Sequence, residues 1–358
     1  MSLILGIETS CDECSVSVVR DDPAYAPEVL GLSTFSQVGL HGPYGGVVPE
    51  IASRNHLETI QGRVSCALEE ARVAPSELEA IAVTNRPGLV GSLLVGVSTA
   101  KALAYAWEKP LIPVHHLEGH AASLYLRDLG RQKPVSVTFP LLLAIVSGGH
   151  TNLYCVKEPA ERWAWDFLQT SFVGRTRDDA AGEALDKIGK MLGFAYPAGA
   201  AIDLQARGGD PHAFSLPKAL PQKDVLDFSF SGLKTAVYLL VQKLGAAGVQ
   251  QVLKDLCASV QEAVVEALLG KIFLARDRYG CQSLGVVGGV ASNSRLRFRL
   301  EEEWQKRVLP GRPLFPLGKY CTDNAAMIAA AGAFRWRQGH VLSRDHFLKL
   351  NAIANPLN

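Results

Sequence analysis

Four stretches of this chain repeat a pattern in pairs. Between Ser2 and Arg20, the apolar run Leu3-Ile4-Leu5-Gly6-Ile7 gives way to polar Glu8–Glu13 and then to alternating Ser15-Val16-Ser17-Val18-Val19. Between Pro140 and Lys157, Leu141–Val146 gives way to Ser147-Gly148-Gly149-His150-Thr151 and then to Asn152–Val156. Short apolar runs bounded by turn residues predict two β-hairpins. A second pair follows. Ala80–Thr84 reads as a strand, then a polar and Gly-containing loop to Ser92, then an apolar helix to about Trp107. Leu284–Val287 reads as a strand, then Gly288–Asn293, then a helix to about Arg307. Ile51, Leu57, Ile60, Val64, Ala67, Leu68 and Ala71 recur near period 3.6, as do Leu253, Leu256, Val260, Val264, Leu268 and Phe273, so both segments predict helices with one buried face. Strands alternating with helices predict an α/β fold. The echo predicts two similar lobes with a nucleotide cleft between them. The polar stretch Gly130–Phe139 marks the break, giving a first lobe of 1–130 and a second of 131–323. A final Ala-rich helix, about 324–340, is expected to pack back on the first.

Length supports this division, because 358 residues are too many for one comfortable core. A net charge of only +1 gives no global attraction to nucleic acid, so any such surface is local. Seven scattered cysteines in a chain this size predict a reducing, cytoplasmic setting. The first residues read as a strand rather than a signal peptide. No apolar run approaches the roughly 18–20 residues that span a bilayer. There is no GxxxxGK[ST], so phosphate binding would fall to tight glycine loops whose amides allow close approach.

His116 and His120 lie four residues apart, which on a helix puts both rings on one face and presents two ligands to one metal. The alternative is a capped or surface histidine pair. The HExxH of metalloproteases is not matched, since Glu118 points to the other side of such a helix. Asp323 is the best third ligand, although its place before an apolar helix equally suits an N-cap. Two histidines and a carboxylate with open positions suit Zn2+ or Fe2+. Cys11-Asp12-Glu13-Cys14 is a lone CxxC and reads as two buried or loop thiols. Asp178, Asp179 and Glu183 open a helix carrying Asp186, either complementing its dipole or binding Mg2+ or ribose. Ser231 closes a hydroxyl-rich loop as an anion contact or an N-cap. Arg175 and Arg177, and Arg295, Arg297 and Arg299, are local basic sets; the second, followed by Glu301-Glu302-Glu303, reads by default as a solvated helix face, and phosphate contact is the alternative for either.

Taken together, these segments resemble one family closely: the tRNA threonylcarbamoyladenosine transferases, called TsaD in bacteria and formerly regarded as sialoglycoprotein endopeptidases. The matching blocks are Gly6–Glu13, Tyr44–Glu50, Pro87–Ser92, His116–His120, Ser147–Thr151, Asp178–Glu183, Phe228–Thr235, Gly288–Asn293 and Cys321–Asn324, in the family's order. The resemblance implies a two-lobed actin/Hsp70/sugar-kinase-like fold. It implies a metal on His116, His120 and Asp323, and substrate contacts at Ile145, Val146, Ser147, Gly148, Gly149, Asp186, Gly199 and Asn293. It implies transfer of the threonylcarbamoyl group from threonylcarbamoyl-adenylate to N6 of adenosine 37 in tRNAs reading ANN codons, with Fe2+ or Zn2+ and room for Mg2+ with nucleotide. The implied partners are tRNA, a degenerate paralogue subunit and a small ATPase. Asp12 and Glu13 are the candidate proton-handling residues. Arg86, Ala198 and Ala325 stand where the family usually has glycine, and Arg175 and Arg177 flank Thr176 in a segment where it usually has an acidic residue. A metalloprotease, a small-molecule kinase or ATPase of the same fold, and a non-catalytic subunit are the rival readings.

Overall fold

A computed structural model describes residues 1–22, 26–128, 136–157, 171–217 and 224–354. The chain divides into one unit of residues 1–136 with 316–358, and a second of 137–315. Part of the expected break, 130–135, lies outside the described residues. Residues 316–323, expected in the second lobe, belong to the first unit. Tyr320 is buried there, and its hydroxyl donates to Asp128 at 2.8 Å.

In the first unit, β1 (Ser2–Glu8), β2 (Glu13–Asp21), β3 (Glu28–Ser36), β4 (Ala80–Arg86), β5 (Leu111–His115) and β6 (Arg127–Asp128) form one sheet in the order β5-β4-β1-β2-β3-β6. β1 runs antiparallel to β2 and parallel to β4. It is covered on both faces, which is why it reads as a continuous apolar run. Helices Pro49–Ala71 and Val90–Ala106 supply Ile60, Val64 and Val97 to a core with Leu5, Ile7, Val16, Val18 and Ile81. Helix Ala325–Arg337 lies on the other face. It lies very close. A Cβ on Gly6 would sit 2.6 Å from the Ala329 nitrogen and nearer still to the Ala325 oxygen, and one on Gly332 would meet the Ala82 methyl. The alanine content of this helix is thus the condition for its distance from the sheet.

One expected core position is not in the core. Leu57 is 66% exposed, and His56 takes the inward place. Its ring nitrogens lie 3.0 Å from the Gln37 amide nitrogen and 2.9 Å from the Cys11 carbonyl, so the buried polar ring is satisfied.

In the second unit, β7 (Leu141–Val146), β8 (Thr151–Val156), β9 (Phe172–Arg175) and β10 (Ser283–Val287) are ordered β10-β7-β8-β9. β10 is parallel to β7, and β7-β8-β9 is antiparallel. β4-β1-β2-β3 has the same pattern, so the sequence echo is an echo of topology. Helix Leu253–Tyr279 buries the expected Leu256, Val260, Val264, Leu268 and Phe273, but Leu256–Val265 is buried all round rather than on one face.

Candidate metal centre and substrate loops

β5 delivers the chain to the metal-side helix His116–Ser123. His115 caps it, its Nδ1 accepting from the Leu117 amide at 3.2 Å. His116 is therefore the first helical residue, and His120 lies one turn on with its ring 4.7 Å away. On the other side of the site, Asn324 caps helix Ala325–Arg337 by accepting from the Met327 amide at 3.1 Å. That removes the capping alternative for Asp323. Its Oδ1 lies 3.5 Å from His116 Nε2 and 3.3 Å from His120 Nε2.

These residues fit a cation. Bonds of about 2.0–2.2 Å in tetrahedral geometry place neighbouring donors about 3.3–3.6 Å apart. The three side chains offer ligand atoms within 4.8 Å of one another. His120 is fully buried, yet among the described residues neither ring nitrogen makes a hydrogen bond. A buried imidazole in that state is costly, and a bound cation relieves the cost.

Charge around the centre is mostly negative. Burial opposes a charge on His116, but Asp323 and Glu8 together raise it to about 9. Glu8 Oε2 is 3.0 Å from His116 Nδ1, a contact between residues far apart in the chain that no sequence signal shows. Burial likewise pushes Glu13 up, with the charges of Asp12 and Asp323 adding to it, to about 9. Ser36 donates to Glu13 at 2.9 Å, and Asp12 is buried. Glu118 faces away from the ligand set. Its carboxylate is 3% exposed and takes bonds of 2.6, 2.7 and 3.0 Å from Arg335, so it is committed as an ion pair rather than a base. Cys14 is buried in β2, Cys11 is half-buried, and both are free thiols.

The predicted substrate residues all lie in the second unit. Ile145 and Val146 end β7, and Ser147 closes a turn in which its amide donates to the His150 carbonyl at 2.8 Å. A Cβ on Gly148 or Gly149 would meet nothing, whereas Gly182 and Gly288 pack against this turn where a Cβ would collide with backbone. The turn is thus buttressed from below and open above. Asp186 accepts from the Ala198 amide at 2.7 Å, setting the start of helix Gly199–Gln205. Asn293 caps helix Ser294–Lys306 by accepting from Leu296 at 3.0 Å. The sequence reading missed Asp203, which accepts from the Ser294 hydroxyl at 2.7 Å. Beside it is a cavity of about 410 Å3 lined by Asp203, Arg207, Gln261, Ser294, Arg295 and Phe298. Asp178 accepts from the Ser229 hydroxyl and the Phe230 amide, and Asp179 pairs with Lys187 and Lys234. These acids therefore pin the 227–234 segment. Ser231 is not an N-cap: it is the first residue of helix Ser231–Gln251, which Phe230 precedes without a side-chain cap. Arg295 and Arg299 are drawn onto buried Glu262, so they are not a free solvated set.

The family model for TsaD, tRNA N6-adenosine threonylcarbamoyltransferase, matches residues 28–330. The chain belongs to the TsaD family. Proteins of that name from Syntrophobacter fumaroxidans and Staphylococcus aureus are similar to it. The first is 48% identical over 345 residues, covering 94% of this chain and 95% of that protein. The second is 45% identical over 338 residues, covering 94% and 92%. Two solved structures share its fold. Component A of Acidaminococcus fermentans (R)-2-hydroxyglutaryl-CoA dehydratase has a TM-score of 0.53 at 15% identity, covering 94% of this chain and all of that one. T. kodakarensis HypF has a TM-score of 0.58 at 12% identity, covering 96% of this chain and 49% of that one. The fold is α/β, of the actin-like and sugar-kinase-like type.

Three of the five departures from the TsaD pattern, Ala198, Ala325 and Arg177, sit in defined local contacts. The Ala198 methyl occupies the space where a Cβ on Gly189 would fall, and Ala198 itself has φ −93° and ψ −15°, which any residue adopts. Ala325 donates its amide to the Ser15 hydroxyl at 2.9 Å. Arg177 pairs with Asp227 at 2.9 Å.

Proposed function

We propose that this TsaD-family protein moves the threonylcarbamoyl group from threonylcarbamoyl-adenylate to N6 of adenosine 37 in tRNAs reading ANN codons, releasing AMP. The observation that carries the reading is the His116, His120 and Asp323 set, in a chain whose relatives are threonylcarbamoyltransferases nearly end to end. A cation bound there, Fe2+ or Zn2+, supplies Lewis acidity toward the oxygens of the donor. The open turn at Gly148 and Gly149, into which Ile145, Val146 and Ser147 lead, offers amides to anionic oxygens, as glycine loops do. Asp186, Gly199 and Asn293 set the neighbouring helix starts, and the cavity beside Asp203 has the size of a small-ligand pocket. Mg2+ accompanies the nucleotide in this reading.

The adenosine amine is a weak nucleophile, because its lone pair is delocalised into the ring. Holding it against the activated carbonyl therefore supplies much of the rate. As N6 bonds to that carbonyl, the bond to the AMP phosphate breaks and N6 gives up a proton. Asp12 and Glu13 are assigned that proton. Glu13, pushed up to about 9 by burial and by the charges of Asp12 and Asp323, holds its own proton at neutral pH and can take the one from N6 only in its ionised form, which a rise in pH favours.

Supporting partners are a paralogue subunit and a small ATPase, in the cytoplasm. No described helix is long and apolar enough to cross a membrane. The test supplies threonylcarbamoyl-adenylate, unmodified tRNA and these subunits, and weighs the nucleoside product by mass. His120→Ala is expected to abolish both metal content and product while the circular dichroism spectrum is kept. Full modification by a metal-free His120→Ala protein refutes the mechanism.

A further inference from the structure

Which nitrogen of His116 is offered to a ligand is decided behind the ring. Glu8, the last residue of β1, is fully buried, and both of its oxygens are engaged. Oε1 accepts from the Ser10 amide at 2.6 Å. Oε2 accepts from the Thr84 hydroxyl at 2.7 Å and lies 3.0 Å from His116 Nδ1. The Ser10 hydroxyl is 3.1 Å from the same nitrogen. Thr84 stands on β4, which pairs with β1 in parallel, so the carboxylate is fixed by two adjacent strands rather than by a loop. A buried carboxylate needs donors on every side. At this oxygen His116 is the partner that completes them.

A carboxylate facing Nδ1 requires a proton on Nδ1. In the neutral ring, the form that binds a cation, the lone pair is then left on Nε2, the nitrogen 3.5 Å from Asp323. The other tautomer would place a bare nitrogen against a carboxylate, and turning the ring over would replace the hydrogen bond with a ring carbon. We propose that Glu8 is a positioning residue for the centre: it locks His116 in the tautomer that presents Nε2 and makes that nitrogen a better donor. This rests on the reading of His116, His120 and Asp323 as a cation site. Partners behind a metal-bound histidine typically change metal affinity by roughly 10–100-fold. A charged acceptor holds its donor more strongly than a neutral hydroxyl, so Glu8 outweighs Ser10 in this role.

The experiment strips the full-length protein with a chelator and titrates Zn2+ against a chromophoric competitor, for the parent, Glu8→Gln and Ser10→Ala. Glu8→Gln is expected to weaken Zn2+ binding roughly 10–100-fold, and Ser10→Ala by less than about threefold. Circular dichroism checks that the metal-free variants are folded. A second measurement needs no variant: in the Zn2+-loaded parent, 15N NMR of labelled histidine is expected to show His116 protonated at Nδ1 and metal-bound at Nε2. A folded Glu8→Gln protein within about threefold of the parent overturns the proposal, and so does zinc on Nδ1. A parent that binds no Zn2+ removes the centre itself, and the proposal with it; a parent that binds while Glu8→Gln matches it overturns the proposal alone.

Discussion

The Glu118–Arg335 pair joins the two segments that bring the metal ligands together, and Arg335→Met tests how much that junction holds. Glu118 lies between the two histidines in sequence, and Arg335 lies on the helix that Asp323 precedes. The substitution leaves Glu118 3% exposed, with three bonds of 2.6–3.0 Å removed and the His115 amide, at 3.4 Å, still donating to it. Removing one partner of a buried pair costs about 3–5 kcal/mol, while removing both charges together is close to neutral. Burial already raises Glu118 above its ordinary value against the pull of Arg335, so without that pull it rises further. An acid raised in the folded state binds a proton there that the unfolded chain releases. The penalty is therefore small below the unfolded pKa near 4 and grows as pH climbs toward the folded one. Urea unfolding of the metal-free protein measures this as a lower midpoint at unchanged slope. Arg335→Met is expected to lose about 3–5 kcal/mol at pH 8 and less at pH 5, and Glu118→Gln with Arg335→Met to recover most of it. A loss under about 1 kcal/mol, or a double variant as weak as the single, refutes the reasoning.

Other substitutions probe single contacts. Gly6→Ala drives a methyl into the backbone of helix Ala325–Arg337 and is expected to cost about 1–3 kcal/mol, read by thermal unfolding. A neutral result would mean that the helix can move away freely. Asp178 is held below the usual carboxylate range by the Ser229 hydroxyl and the Phe230 amide, although burial works against it. Its contribution is complete above the unfolded pKa and is lost as pH falls through the folded one. Because Asp178 is exposed and its contacts are screened by solvent, Asp178→Asn is expected to cost under about 1 kcal/mol at pH 7 and to flatten the acid limb of the stability profile; an unchanged limb counts against it. Gly182→Ala puts a Cβ 2.8 Å from the Ser147 oxygen and 2.9 Å from Gly148 Cα. It is expected to raise the KM for threonylcarbamoyl-adenylate about tenfold or more with the protein still folded, and an unchanged KM argues against the Ser147–Gly149 turn as a donor contact.

The two hairpins were legible because each combines short apolar runs with turn residues, and their topology is indeed repeated. β5 was not, because Pro113 weakens the strand signal; it lies at the sheet edge, where proline is tolerated. β9 is a four-residue edge strand, too short for its pattern to stand out. The histidine pair is visible in the sequence because its spacing is local. Asp323 was ambiguous with a cap until Asn324 proved to do the capping. Glu8 and Arg335 carried no signal, since their partners lie across the fold and period or spacing does not reach that far.

The second unit is an insertion within the first, and this sets an order of events during synthesis. β1 to β6 and both histidines are synthesised before residues 137–315, while Asp323 and helix Ala325–Arg337 follow them. At about 5–20 residues per second, roughly ten to forty seconds separate the two events. Throughout that interval Ile4, Gly6 and Ala82 lack the helix that covers them, and the two imidazoles lack their carboxylate. A nascent chain therefore has only an incomplete chelate to offer free metal, and the second unit has time to fold before the first is closed. Emergence of Asp323 and the helix that follows it, rather than of the histidines, is the moment at which the centre can first form.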